Sequence, residues 1–284
     1  MTLVVALKVG DGLVLGADSA STLELQGSSG PEFVNSYFNA EKLFNLVKAL
    51  PIGVLVYGLG GLANRSVGSL LKDLWLRLCD RADKNWYLDP STYTIEEAAE
   101  RLKVFFYDDL YWKQFKPIPG SGLPAMGFLV GGYSIGAGSS EVWQVTVNDD
   151  GTCAGPQELL KQSDPYGIRW EGQPEACIRL VRGYNAEAVN RLVQAGVDAQ
   201  TAVNVLDHGV PFALPTMPIQ DAIDLVEFLE EVTCGFSRFA PGHPTVARPI
   251  DIAAITPHEG FRWVKRKHYF EMKLNPDSNE RRRA

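Results

Sequence analysis

Short apolar runs separated by glycine turns open the chain. Residues 2–9 and 13–17 are rich in Val and Leu and flank Gly10-Asp11-Gly12. This pattern predicts a β-hairpin that begins at the second residue. Residues 23–40 mix polar and apolar positions around a Gly- and Pro-containing stretch and predict a loop. Further strands are predicted at 52–57, 125–133, 141–147, 249–256 and 260–264.

Segments with helical spacing of apolar residues lie between these strands in blocks. Residues 62–83 carry leucines and valines at intervals of three and four, which predicts a first helix. The capping box Thr94–Glu97 predicts the start of a second helix that runs to about Phe115. Later helices are predicted at 173–184, 186–195, 200–208 and 218–232. Blocks of strands and helices, without strict β-α-β alternation, favour an α+β architecture with largely antiparallel sheets.

Composition excludes several classes of protein. The chain has 284 residues, of which 45% are hydrophobic and 21% charged, so it can bury a sizeable core and is not broadly disordered. Its 27 Lys and Arg against 34 Asp and Glu give a net charge of −7, the opposite of what nucleic-acid binding favours. Basic clusters occur only at 265–268 and 281–283, and predict a solvated C-terminal tail over 265–284.

The cysteines, the histidines and the apolar stretches give no indication of a disulfide framework, a metal site or a membrane span. The four cysteines are far apart, which argues against a disulfide framework or a cysteine zinc site. No two histidines have ligand-like spacing, and we expect no metal and no cofactor. No signal peptide is visible, and the longest apolar stretch, 52–63, is too short to span a membrane. The sequence predicts a cytoplasmic protein.

A glycine motif raises a first candidate chemistry. Gly58–Ala63 matches G-x-G-x-x-A between a predicted strand and a predicted helix, as in a dinucleotide site. Such a site needs a parallel strand ending in an acidic residue about 20 residues later. Here a polar stretch at 80–90 and another helix follow instead. We therefore favour a structural role for these glycines at a tight turn.

A serine motif raises a second candidate. Gly132–Gly136 matches the G-x-S-x-G elbow around Ser134, and Asp251 and His258 follow in the order of a hydrolase triad. The elbow requires a strand that passes directly into a helix, whereas a predicted strand follows here. A hairpin turn explains the glycines more simply.

A threonine at the second position raises a third candidate. Methionine excision normally succeeds when the next residue is small, and Thr2 meets this condition, so the mature chain could begin with Thr2; the sequence does not tell whether Met1 is removed. The α-amine of a free N-terminal threonine has a reference pKa of about 7.7–8.0 and can accept the hydroxyl proton directly or through a water. A cation, a carboxylate that holds it and an oxyanion donor are also needed. Lys42, Asp18 and the Gly60 N–H are candidates.

Four motifs occur in order from the second residue. They are Thr2 with its hairpin, GADSAST at 16–22, EKLFNL at 41–46 and YGLGGLAN at 57–64. Together they resemble proteasome β-type subunits and their bacterial proteasome-like relatives among the N-terminal-nucleophile (Ntn) hydrolases. The resemblance continues more weakly through 128–132, 142–152 and 249–263, and so covers most of the chain.

The resemblance implies roles for particular residues. Thr2 corresponds to the nucleophile, Asp18 to the carboxylate that orients a lysine, and Lys42 to the ammonium that lowers the pKa of the threonine amine. The Gly60 N–H corresponds to the oxyanion donor, with Gly61 as the neighbouring alternative. The implied fold is a four-layer αββα sandwich, in which two antiparallel sheets pack face to face between helical layers.

Two stretches depart from the family pattern. Glu171 in Trp170-Glu171-Gly172 stands where a serine is expected, and no supporting motif is recognisable in 236–248. We read the chain as one domain, 1–284, with insertions near 23–40 and 186–216.

The function predicted from the sequence is a threonine-type peptidase or amidohydrolase. It would cleave peptide or amide substrates and form a homo-oligomeric ring, without nucleic-acid or membrane partners. The sequence does not indicate whether an unfoldase partner exists. One alternative is a catalytically inactive assembly subunit of the same fold. A nucleotide-binding oxidoreductase built on Gly58–Ala63 is a distant alternative.

Overall fold

The computed structural model describes residues 2–27, 30–116 and 122–268. The strands, numbered along the chain, are β1 Leu3–Val9, β2 Gly12–Ala17, β3 Ser21–Gly27, β4 Gly30–Tyr37, β5 Leu43–Asn45, β6 Ile52–Gly58, β7 Gly61–Leu62, β8 Arg65–Ser66, β9 Met126–Gly132, β10 Glu141–Val147, β11 Cys153–Leu160, β12 Gly167–Gly172, β13 Asp251–Thr256 and β14 Gly260–Lys265. The helices are α1 Val67–Cys79, α2 Ile95–Lys103, α3 Trp112–Phe115, α4 Glu175–Val181, α5 Ala186–Gln194, α6 Ala199–Leu206 and α7 Ile219–Phe239, with a π-helical segment Val104–Tyr111 between α2 and α3.

Among the described residues, two five-stranded sheets form the centre of the fold. Sheet I has the order β12-β1-β2-β13-β14, and sheet II the order β11-β10-β9-β6-β5. Every neighbouring pair in both sheets is antiparallel. The N-terminal strand β1 is therefore an interior strand, held on one side by β2 and on the other by β12.

The two sheets pack face to face between helical layers. Alternate residues of β1 and β2, such as Val4 and Leu15, lie with Leu55 and Leu129 of sheet II in one apolar core. A second core joins the other face of sheet I to α4 and α7, and a third joins sheet II to α1 and α2. The sheets approach so closely that a Cβ on Gly53 would stand 2.3 Å from a methyl of Leu15. The predicted α+β sandwich of two antiparallel sheets is confirmed.

Several predicted elements differ from the observed ones. The segment predicted as a loop at 23–40 instead contains the paired strands β3 and β4. Strands β11 and β12 were not predicted, because their mixed polarity gives no regular period; they form edges of the two sheets. The helix predicted at 62–83 begins only at Val67, since Gly61–Leu62 and Arg65–Ser66 pair as short strands.

Helix ends follow local capping. The predicted capping box is confirmed, because the Thr94 hydroxyl accepts a hydrogen bond from the Glu97 N–H at 3.0 Å. Helix α4 ends earlier than predicted, at Val181, before Gly183, whose φ is +82°. Helix α7 extends to Phe239, beyond the predicted 218–232, and keeps Thr233, Cys234 and Ser237 on its buried face.

The predicted insertion at 186–216 and the start of the predicted C-terminal tail have the following structures. Two helices, α5 and α6, lie in the region 186–216, and the rest of that region is not helical. Lys265 ends β14 and Lys267 is largely buried, so the prediction of a solvated stretch at 265–268 is wrong for Lys267. Residues 269–284 of the predicted tail lie outside the described residues. None of the described helices combines the length and hydropathy needed to cross a membrane.

Candidate active site

Thr2 lies at the entrance to the space between the sheets. Val4 and Ala6 face this space, whereas Leu3 and Val5 face the α7 layer, so the alternation along β1 directs Thr2 between the sheets. The Thr2 carbonyl accepts a hydrogen bond from the Gln173 N–H at 2.7 Å. Gly172 packs against the same carbonyl, with φ +95° and no room for a side chain. The end of β12 therefore holds the start of β1 in place.

Asp18 follows β2 and is fully buried. Its Oδ1 accepts hydrogen bonds from Lys42 Nζ at 2.6 Å and from the Leu3 N–H at 3.1 Å. Its Oδ2 accepts hydrogen bonds from the N–H groups of Ala20 at 2.8 Å and Ala247 at 3.1 Å. Four donors, one of them cationic, match the acceptor capacity of an ionised carboxylate. Asp18 thus connects Lys42 to the peptide bond that follows Thr2.

Lys42 lies just before β5 and is buried. Burial lowers the pKa of its amine, while the neighbouring Asp18 carboxylate opposes this shift through charge attraction and a hydrogen bond. The ion pair also fixes the amine in one position, in the cleft that Thr2 lines as well.

Gly60 lies in the turn after β6. Its carbonyl accepts a hydrogen bond from the Val67 N–H at 3.1 Å, which anchors the turn to the start of α1. Strands β7 and β8 intervene before α1, and β6 is antiparallel to its neighbours β5 and β9. The parallel strand pair required for a dinucleotide site is therefore absent around β6, and the nucleotide alternative built on Gly58–Ala63 is wrong.

One cleft of about 860 Å³ brings three of the four sequence-predicted residues together. Thr2, Lys42 and Gly60 line it, and Asp18 lies beneath through its bonds to Lys42 and Leu3. The end of β4 and the start of α1 form its other walls. The cleft is open and large enough to admit an extended segment of substrate.

The serine motif has a different role. Ser134 Oγ accepts a hydrogen bond from the Ile95 N–H at 2.9 Å and donates to Glu141. Asp251 instead pairs with Lys267, and His258 lies in the turn between β13 and β14. Ser134 therefore anchors the start of α2, and its partners are not those of a hydrolase triad.

Glu171 stands at the position where the resemblance in sequence implied a serine. It lies on β12 opposite Val4, and its Oε1 accepts a hydrogen bond from Gln144 Nε2 at 2.9 Å. The same Gln144 amide donates to the Tyr57 hydroxyl at 2.8 Å, and Tyr57 lines the cleft. Burial raises the pKa of Glu171, which the Gln144 hydrogen bond partly offsets. A polar chain thus connects this substituted position to the cleft wall.

Three groups near Asp18 were missed by the sequence reading. Ala247, inside the stretch 236–248 where no motif was recognised, contributes a backbone N–H, which no side-chain pattern could reveal. Lys267 lines the cleft and pairs with Asp251, although its basic neighbours suggested a tail. Glu230 lies fully buried on α7; its helical spacing from Val226 and Thr233 could have placed it on the buried face.

The described residues contain no group of three or more His, Cys, Asp or Glu side chains arranged to hold a metal ion.

Comparison with known proteins supports the fold. No family model matches the chain, and no curated protein sequence matches it significantly. Among solved structures, Anbu from Hyphomicrobium sp. strain MC1 is similar with a TM-score of 0.51 and 16% identity, over 99% of this chain and 95% of that one. A Gly-1 mutant of Anbu from the same strain gives 0.49 and 13%, over 100% and 95%. Anbu (ancestral beta-subunit) from Yersinia bercovieri gives 0.45 and 14%, over 98% and 93%.

These similarities correct the family suggested by the motifs. The similar structure with a TM-score above 0.5 is an Anbu protein, which is proteasome-like but distinct from the proteasome β-type subunits, so the assignment to those subunits is wrong. At 16% identity, the comparison shows the fold alone. The chain has a proteasome-like Ntn fold.

Proposed function

We propose that this protein is an N-terminal threonine hydrolase that cleaves peptide or amide bonds. The observation that carries the proposal is the arrangement around Asp18. Its carboxylate binds the Lys42 ammonium and the Leu3 N–H at once, so the lysine and Thr2 are held together at one cleft.

The reaction uses Thr2 as both nucleophile and base once Met1 has been removed. The Thr2 hydroxyl attacks the substrate carbonyl carbon while the α-amine accepts its proton. The Gly60 N–H, or that of Gly61, stabilises the oxyanion. Collapse of this intermediate breaks the C–N bond, and the leaving amine takes the proton. Water then hydrolyses the ester on Thr2 and restores the free hydroxyl.

Lys42 makes this base effective near neutral pH. A cation close to the α-amine disfavours its protonated form, which lowers the amine pKa. Because Asp18 fixes Lys42 through a 2.6 Å ion pair, the cation stays in place when the amine gains or loses a proton. Asp18 and Lys42 thus act as positioning residues, and Thr2 is the catalytic residue.

Intact-mass measurement and three variants test this proposal. The wild-type chain should lack Met1 and should hydrolyse peptide amides. Thr2→Ala, whose small residue also permits methionine removal, should reduce hydrolysis to background, and Thr2→Ser should retain a measurable rate. Lys42→Met should lower kcat/KM by about 10²-fold or more, in the range of a lost acid–base contribution. Undiminished hydrolysis in Thr2→Ala would place the chemistry elsewhere.

A non-catalytic assembly subunit is the second candidate. It is favoured by the Glu171 substitution and by the absence of a recognisable motif in 236–248. Complete retention of Met1 in the purified protein, with no amide hydrolysis, would favour this candidate over the first.

We further infer that the chain assembles with copies of itself in a ring, as the original resemblance implied, and acts in the cytoplasm. The four cysteines are free thiols, which fits a reducing compartment. Light scattering of the purified protein measures its molar mass directly, and a mass of one chain would contradict self-assembly.

A further inference from the structure

Lys267 enters the candidate active site from the far end of the described chain. Its Nζ donates a hydrogen bond to Ser19 Oγ at 2.7 Å and forms an ion pair with Asp251 Oδ2. Its backbone N–H donates to Asp251 Oδ1 at 2.8 Å, so two bonds join it to the same carboxylate. Ser19 directly follows Asp18, and the Lys267–Asp251 pair therefore lies beside the Asp18–Lys42 pair.

The surroundings of this pair indicate more than a surface contact. The Lys267 side chain is 11% exposed and that of Asp251 is 3% exposed, so water screens their charges weakly. Lys267 lines the cleft that contains Thr2, whereas Asp251 does not. The cationic residue of the pair therefore lines the Thr2 cleft, and both residues also line a second cleft beside β5 and β14. The electrostatic effect of Lys267 also reaches Lys42, where it opposes protonation.

We propose that Lys267 is a second positioning cation of this site, held by Asp251 and Ser19 so that its charge acts on Lys42 and on the Thr2 α-amine. The inference rests on the proposed function of Thr2. Two fixed cations disfavour protonation of the amine more than one does. Lys267 thereby extends the pH range in which Thr2 has a neutral base.

Other ionisable groups face the same region and set the background for this effect. Glu41, Tyr57, Lys72 and His268 line the cleft. Asp18, Lys42 and Glu230 lie beneath it, and Glu171 reaches it through Gln144. A variant that changes only one charge leaves these other groups the same as in the wild-type protein.

The test measures the pKa of the Thr2 amine without requiring hydrolysis. Periodate oxidises an N-terminal threonine whose amine is neutral and cleaves the bond between Cα, which carries the amine, and Cβ, which carries the hydroxyl. Mass spectrometry follows the formation of the product. The rate as a function of pH gives the amine pKa. Preparation through a fusion protein cleaved directly before Thr2 provides the free amine whether or not cells remove Met1. The pH profile of kcat/KM is measured on the same samples.

Two variants should shift this pKa in opposite directions. Lys267→Met removes the cation and should raise the amine pKa by about one pH unit, the order expected for a charge several ångströms away in a protein environment. Asp251→Asn removes the compensating anion and should lower it. Lys267→Arg should restore the wild-type value. A merely structural defect would not shift the amine pKa in opposite directions in Lys267→Met and Asp251→Asn. If one of these two variants fails to fold, the shift in the other is sufficient to test the role of Lys267.

Lys265→Met is the matched control. Lys265 lies two residues earlier and pairs with Glu227 at the surface, where the side chains are 48% and 30% exposed. Its removal should leave the amine pKa unchanged. An unchanged pKa in Lys267→Met, with a shift in Lys42→Met, would overturn the role of Lys267. If periodate titration shows the expected shifts but no variant hydrolyses amides, the proposed function fails and the electrostatic role of Lys267 stands.

Discussion

At the scale of single residues, Glu230 is a group near the candidate site whose burial is not offset by hydrogen bonds. Its side chain is 0% exposed, and neither carboxyl oxygen has a hydrogen-bond partner among the described residues. Burial raises its pKa well above the ordinary value, the Asp18 charge adds to this shift, and Lys42 opposes it. A bare buried carboxylate is costly, so we expect Glu230 to be protonated in the folded protein. The cations Lys42 and Lys267 are then balanced by Asp18 and Asp251 alone.

This protonation state predicts a pH-dependent stability. A group whose folded pKa is raised contributes stability that is complete below its unfolded pKa, about 4.3 for Glu, and is lost as pH rises toward the folded value. Glu230→Gln removes this loss. The free energy of unfolding of Glu230→Gln should therefore increase relative to that of wild type as the pH rises above about 4, the unfolded pKa of a glutamate. Chemical denaturation at several pH values measures the difference.

Glu231→Gln is the control for this experiment. Glu231 is the next residue and pairs with Arg248 at the surface, with Nε–O distances of 2.7 and 2.9 Å. It should show no comparable trend with pH. A parallel pH dependence in wild type and Glu230→Gln would mean that Glu230 is ionised in the fold.

At the scale of elements, the junction of β1 and β12 sets the position of Thr2. Gly172 ends β12 with φ +95°, and a Cβ there would stand 1.8 Å from the Thr2 carbonyl oxygen. The Gln173 N–H donates to that same oxygen. Any side chain at position 172 must therefore displace the residue that we propose as the nucleophile.

Gly172→Ala is accordingly expected to lower both stability and activity. Displacement of Thr2 from Lys42 and Gly60 should reduce kcat/KM by about 10²-fold, the cost of misplacing a reacting group by roughly 1 Å. Gly136→Ala is the matched control, since Gly136 also has a positive φ, +72°, but its Cβ would enter open space. The control should lose only about 1–2 kcal/mol of stability. Equal activity in the two variants would contradict this account of the junction.

At the scale of the whole molecule, the outer face of α7 is unusually apolar. Phe228, Val232, Phe236 and Phe239 repeat at helical spacing, and the phenylalanines are 45%, 41% and 81% exposed. The opposite face of the helix packs on sheet I. A contiguous exposed apolar stripe is typical of a protein contact surface, which fits the self-assembly that we propose.

Charges placed in this stripe should weaken the assembly. We expect Phe228→Glu combined with Phe239→Glu to lower the molar mass measured by light scattering toward the 31.2 kDa of one chain. Leu76→Glu is the control, because Leu76 is similarly exposed, at 59%, but lies on α1 in the opposite helical layer. An unchanged mass in the double variant would exclude α7 as the contact surface.

Local patterns in the sequence predicted the elements that depend on local interactions. The β1–β2 hairpin follows from apolar runs around Gly10-Asp11-Gly12, and α2 from the capping box at Thr94. Four motifs in order also predicted a proteasome-like fold and suggested Thr2, Asp18, Lys42 and Gly60 as one site. Their roles in catalysis stay a prediction. The family drawn from the same motifs was wrong, because motif order reflects a shared fold and does not separate its families.

Only the tertiary structure decided which distant residues meet. Strands β11 and β12 have mixed polarity because edge positions are partly exposed, so their pairing emerges only within the complete sheets. The contact of Lys267 with Ser19 joins residues 248 positions apart, and no local period records such a contact. The sequence by itself determined which residue types were available for chemistry. Chain packing determined that Lys267 and Glu230 lie beside Asp18, because the free energy of burying a charge depends on partners that only the folded chain supplies.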